Sequence, residues 1–156
     1  MRKTKPEFSL SVQYAARPDD VPSRALIRAW ASAALEGDAA VTVRIVDEEE
    51  GRSLNHDYRG KDYATNVLSF VYEQKPSCQG DLVLCGPVVS REAFEQGKGV
   101  EAHYAHLVIH GMLHLQGYDH EEEVDAMAME AVETHIMRRL GYTDPYEILE
   151  VKQQHG

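Results

Sequence analysis

At 156 residues, with 43% hydrophobic and 27% charged side chains, the chain has the makeup of one soluble globular domain with a sizeable core, and nothing calls for a second. A formal net charge of -10 speaks against strong general affinity for nucleic acid, because phosphate binding depends on Lys and Arg neutralising the backbone. The opening MRKTKPEFSL is basic without an apolar stretch behind it, and no apolar run approaches a membrane span, so a membrane role is excluded and a cytoplasmic location is expected.

Taken in chain order, Phe8, Leu10, Val12 and Tyr14 alternate with polar or small residues, the period of a half-buried strand. Pro22 then opens a helix with an apolar stripe of Leu26, Ile27, Trp30, Ala33 and Ala34, ended by Gly37. Residues 39–46 form the next predicted strand, and Asp47 is placed to cap a short helix running to about Tyr58. A polar loop follows over residues 59–66. Residues 67–72 and 81–85 read as two further strands, joined through KPSCQG, a Pro and Gly connection suited to a loosely turned hairpin. Cys78 falls in that loop and Cys85 in a buried strand; with no C-x-x-C and no secretory signal, a disulfide framework is not supported.

A short helix over residues 88–96 ends at Gly97, and a longer one over about 99–116 follows. The longer helix is apolar nearly all round, through Val100, Tyr104, Leu107, Val108, Ile109, Met112 and Leu115, as expected of a central buried element. A last helix over about 121–140 presents Val124, Met127, Ala128 and Ala131 on one face and stops at Gly141, its methionines being assigned to the core. Residues 1–142 are expected to form the single domain and residues 143–156 a flexible tail. The predicted fold is α+β (mixed α/β): a small mixed sheet of about four strands packed with about five helices, without regular alternation or internal repeats.

The chemistry concentrates in HGMLHLQGYDH at residues 110–120. His110 and His114 are four apart, one turn along one helix face, where both rings can reach one ion. Gly117 can take positive φ and let the chain leave the helix, so that His120 comes round as a third ligand. Three nitrogens and one open position are the arrangement of a catalytic zinc site, and the central buried helix would carry it. His106 extends the ladder but lies about 11 to 12 Å from His114 along the axis, too far to share an ion easily. His103, His106 and His135 are therefore assigned to packing or to orienting other groups. The spacing equals that of H-E-x-x-H-x-x-G-x-x-H peptidases, whose Glu is the general base, but Gly111 stands at that position here.

HGMLHLQGYDH, together with YRGKDYATNVLSF at residues 58–70 and GDLVLC at residues 80–85, closely resembles the YbeY family of bacterial endoribonucleases that act in ribosomal RNA maturation. The resemblance covers about residues 40–142. It implies one zinc ion carried by His110, His114 and His120, and a functionally important arginine that falls on Arg59. It also implies single-stranded RNA, notably at the 3' end of small-subunit ribosomal RNA, as substrate, with the small ribosomal subunit and its assembly factors as partners. Zinc would activate a water or polarise a phosphoryl oxygen, and the planar fork of Arg59 would hold the charge that gathers on phosphorus. A salt bridge from Arg59 to Asp57, Asp62 or a helix end is the structural alternative. Lys61, Asn66 and Ser69 are further candidates for the same groove, and Asp119 for orienting an imidazole or receiving a proton.

The charge balance is uneven in a way that tempers the objection to RNA. Residues 99–156 carry three basic and eleven acidic side chains, whereas residues 52–98 carry six of each. Glu121, Glu122, Glu123 and Asp125 favour the positive N-terminal end of the last helix and are read as a solvated cap. With no strong basic patch, a ribosomal particle is expected to supply much of the specificity. A non-catalytic assembly factor whose metal holds the fold is the second functional class, and a metallopeptidase with an unusual base the third.

Overall fold

The computed structural model describes residues 6–16, 20–118 and 122–147. Four strands and five helices follow one another in these parts: β1 (Phe8–Tyr14), α1 (Arg24–Ala33), β2 (Ala39–Val46), α2 (Glu48–Arg59), β3 (Val67–Glu73), β4 (Cys78–Cys85), α3 (Gly86–Gln96), α4 (Val100–Leu115) and α5 (Glu123–Arg139). The sheet order is β1-β2-β4-β3, parallel across β1, β2 and β4, with β3 antiparallel to β4 at the edge. The expected α+β class, with one mixed sheet and an edge hairpin, is what the chain forms.

Pleating sends alternate residues of the central strands to opposite faces. Val41, Val43, Ile45, Leu82 and Leu84 join the main core with Trp30 of α1 and Tyr104, Val108, Ile109 and Met112 of α4. On the other face Val46, Leu68, Val83 and Cys85 pack with Leu54 of α2 and Val88. Each large side chain fully buried here contributes about 1.5–3 kcal/mol. α4 touches β3, β4, α1, α3 and α5, so the expectation of a central buried helix holds.

Two close approaches require glycine. A Cβ on Gly111 would stand 2.6 Å from Leu82 Cδ2, and one on Gly80 would stand 2.5 Å from the Phe70 carbonyl oxygen. α4 therefore lies directly on β4 because residue 111 has no side chain.

Three expectations need correction. β4 begins at Cys78, which pairs in parallel register with Ala39, so Cys78 is a buried strand residue 4% exposed and not a loop thiol. Its flanking Pro76 and Gly80 resemble turn residues, but Gly80 is there for the close approach of β3 and Leu115. α2 runs through Arg59, one residue into the predicted loop, because Gly60 caps it in the left-handed conformation at φ 69°. The predicted apolar face of α5 is exposed, with Val124 77% and Met127 65% accessible. The helix instead buries Met129, Glu133, Ile136 and Met137, which share a face at spacings of four, seven and eight.

Residues 143–147, the start of the predicted tail, lie against α4 and α5. Lys98 Nζ donates to Pro145 O at 2.7 Å, and the Tyr146 hydroxyl donates to Glu133.

Candidate active site

α2 is built to deliver Arg59 to the mouth of a groove. The Asp47 side chain accepts from the Glu50 N–H at 2.9 Å, which starts the helix, and the Gly60 N–H closes it onto Asn55 O and His56 O. Buried Asn55 donates to Tyr63 O at 2.8 Å and holds the following loop against the helix. The carboxylates that could neutralise Arg59 have other partners. Asp62 accepts a two-pronged pair from Arg52 at 2.8 and 3.1 Å, and Asp57 lies 3.6 Å from His56. Among the described residues no ion pair holds Arg59.

The groove encloses about 400 Å³ and is lined by Tyr58 and Arg59 of α2, residues 67–70 of β3, and His110 and His114 of α4. The arginine and two of the three predicted metal ligands are thus brought to one cavity from helices far apart in sequence. Tyr58 and Phe70 form an aromatic wall, their ring centroids 4.4 Å apart at 59°, with Tyr58 66% exposed. Of the three further candidates for the groove, Ser69 lines it. Asn66 holds a turn, its Oδ1 accepting from the Val67 N–H at 2.6 Å and its Nδ2 donating to Glu92 at 2.9 Å, and Lys61 is not among the lining residues.

α4 leaves its last turn as the sequence predicts: Gly117 has φ 108°, and the Tyr118 N–H returns to Leu113 O at 3.1 Å. Gln116 ties this end to α1, donating to Ala34 O at 2.8 Å and accepting from the Glu36 N–H at 2.7 Å. His120 and Asp119 lie outside the described residues.

Behind the groove sits Glu133, 0% exposed. One carboxylate oxygen accepts from His106 Nε2 at 2.8 Å and from the Tyr146 hydroxyl, and the other accepts from His110 Nδ1 at 2.5 Å. Burial alone would raise its pKa; the hydrogen bonds from His106, His110 and Tyr146 outweigh that and bring it down to about 2. His106 is hydrogen-bonded to this carboxylate, and His103 packs beside Glu92 at 2.9 Å. Sequence reading missed Glu133 and Tyr146. The available signal was an acid on a stripe otherwise made of Met129, Ile136 and Met137, since an acid is almost never fully buried unless paired.

Two donor sets could hold a metal ion. His110 and His114 both line the groove, and imidazole is a ligand chemistry that suits zinc. His106, His110 and Glu133 also offer ligand atoms all within 4.8 Å of one another. In this second set the contacts of 2.8 and 2.5 Å are hydrogen-bond lengths. Two nitrogen or oxygen ligands of a tetrahedral zinc, each about 2.0–2.1 Å from it, stand roughly 3.3 Å apart. The second set therefore has the geometry of a carboxylate supporting histidines, and the first has the donor chemistry of a metal site.

A mixed-sheet α+β domain with a histidine-lined groove at its edge strand is the class that these features define. The solution structure of TM1509 from Thermotoga maritima has the same fold, with a TM-score of 0.57 at 24% identity, over 88% of this chain and 99% of that one. The family model described as Endoribonuclease YbeY matches residues 13–141. Proteins named Endoribonuclease YbeY include one from Aromatoleum aromaticum, 65% identical over 80% of this chain and 81% of its own length. Another, from Methylobacillus flagellatus, is 57% identical over 90% and 95%. The chain belongs to the YbeY family.

Proposed function

We propose that this chain is a zinc-dependent endoribonuclease that cuts single-stranded RNA during ribosomal RNA maturation, notably at the 3' end of small-subunit RNA, and serves ribosome quality control. The observation that carries the reading is the groove in which Arg59 meets His110 and His114. The name shared by its relatives, Endoribonuclease YbeY, supports the same activity.

A zinc ion held by His110, His114 and His120 would supply Lewis acidity at the scissile phosphate and lower the pKa of a nearby water. Arg59 grips two phosphate oxygens with its planar guanidinium and stabilises the charge that develops on them. Tyr58 and Phe70 offer unpaired bases a stacking surface, which a duplex with its bases already stacked cannot use. That supports a preference for single strands in a protein whose net charge of -10 gives little general pull on phosphate. Specificity then comes from the small ribosomal subunit and its assembly factors in the cytoplasm. Among the described residues no helix is long and apolar enough to cross a membrane.

Peptide hydrolysis is disfavoured by Gly111, where any side chain runs into Leu82 instead of the groove. The attacking group is either water or the RNA's own 2'-hydroxyl. A 5'-phosphate product marks the first and a 2',3'-cyclic phosphate the second. The test is cleavage of matched single-stranded and duplex ribosomal RNA fragments by chelator-treated protein before and after restoring one equivalent of zinc. Cleavage of the single strand alone, and only after restoration, is expected. Equal cleavage without metal, or none with it, would contradict the reading.

A further inference from the structure

Glu133 is a charged group placed where water cannot reach it, and its three donors come from two separate parts of the chain: His106 and His110 on α4, and Tyr146 beyond α5. A packed apolar residue would fill this space at less cost, so the carboxylate has to be explained by what it holds. We propose that Glu133 is the positioning residue of the metal-binding histidine His110, and that Tyr146 latches it in place; this rests on the zinc-site reading above.

The contact at His110 Nδ1 fixes the proton on that nitrogen, because a carboxylate facing a ring nitrogen at hydrogen-bond length can only accept. The ring is then locked in the tautomer whose Nε2 carries the lone pair, on the edge away from Glu133, while His110 lines the groove. His106 and Tyr146 occupy the other carboxylate oxygen and stop it rotating. Tyr146 also stacks edge-on against His106, with centroids 5.1 Å apart at 84°, so the segment after α5 closes over this assembly. An imidazole so fixed is a stronger and better aimed ligand than one left to turn.

The test is zinc affinity, read by competition with a chromophoric chelator, for the full chain, Glu133→Gln and Tyr146→Phe, each first shown by its metal-free thermal melt to be folded. The absorption spectrum of cobalt-loaded protein serves as a second readout of ligand geometry. Glu133→Gln is expected to weaken zinc roughly 10- to 100-fold at unchanged one-ion stoichiometry and to alter the cobalt bands. Tyr146→Phe is expected to act in the same direction by a smaller factor. If Glu133→Gln does not fold, Tyr146→Phe, which removes one hydroxyl, carries the test alone. Affinity and spectrum unchanged in folded variants overturn the proposal while leaving the zinc site standing. Zinc binding that survives His114→Ala but vanishes in Glu133→Gln makes Glu133 a ligand and overturns it too. A wild-type chain that binds no zinc overturns both this proposal and the zinc-site reading beneath it.

Discussion

Gly111→Glu would place a carboxylate where H-E-x-x-H peptidases carry their general base, and the structure says it will break the fold before it can act. A Cβ at residue 111 stands 2.6 and 3.1 Å from the two methyls of Leu82. Leu82 is 0% exposed in β4, between β2 and β3, so making room for a side chain at residue 111 means repacking it among buried neighbours. For Gly111→Ala the overpacking costs about 1–3 kcal/mol, offset by about 1 kcal/mol from replacing glycine inside a helix, so a net loss of about 0–2 kcal/mol is expected. The glutamate adds four more heavy atoms and an unmatched charge in the seam between α4 and β4, which brings the loss to at least about 4 kcal/mol. At about 2–4 °C per kcal/mol for a chain of this size, the melting temperature falls by about 8–16 °C or the variant does not fold. Calorimetry of the metal-free proteins measures this directly. A Gly111→Glu protein melting within about 3 °C of wild type would refute the packing account, and peptide cleavage by it would revive the peptidase reading.

Two further predictions concern the substrate wall and the acid response. Tyr58→Ala removes the exposed ring beside Arg59, and should weaken a single-stranded RNA fragment by about 1–3 kcal/mol, roughly 5- to 150-fold, in a fluorescence titration at fixed salt, while leaving a duplex of equal length unaffected; equal effects on both would remove stacking from the account. Burial pushes the His103 pKa down, only partly offset by its hydrogen bond to Glu92. Its contribution to stability is therefore intact above about 6.5, the unfolded value. It falls as pH drops below that value, by at most about 1.4 kcal/mol per pH unit, because the unfolded chain takes up a proton that the folded one refuses. Urea unfolding on either side of pH 6.5 should show a smaller acid loss in His103→Gln than in wild type, and equal losses would contradict the assignment.

Where the sequence was legible, local chemistry did the specifying. Alternation located β1, Asp47 starts α2, Gly97 ends α3, and the all-round apolar character of residues 100–115 identified the central helix. Of the groove residues, His110 and His114 could be named from their spacing, and Arg59 only through the family that its segment resembles. What stayed hidden depends on partners distant in sequence. Cys78 becomes a strand residue only through its pairing with Ala39, and Gly80 looks like a turn until β3 and Leu115 press against it. The buried face of α5 was missed because an acid, Glu133, lies in it, and that acid makes sense only once His106, His110 and Tyr146 surround it.

Cleavage of a labelled single-stranded ribosomal RNA precursor by zinc-loaded wild type, Arg59→Glu and His114→Ala, with both variants first shown to be folded, tests the central claim most directly. Cutting by the wild type, with losses of several orders of magnitude in both variants, is the predicted result. Unchanged cutting by both folded variants would trace the activity to a contaminant and leave a ribosome assembly factor without nuclease chemistry as the better account.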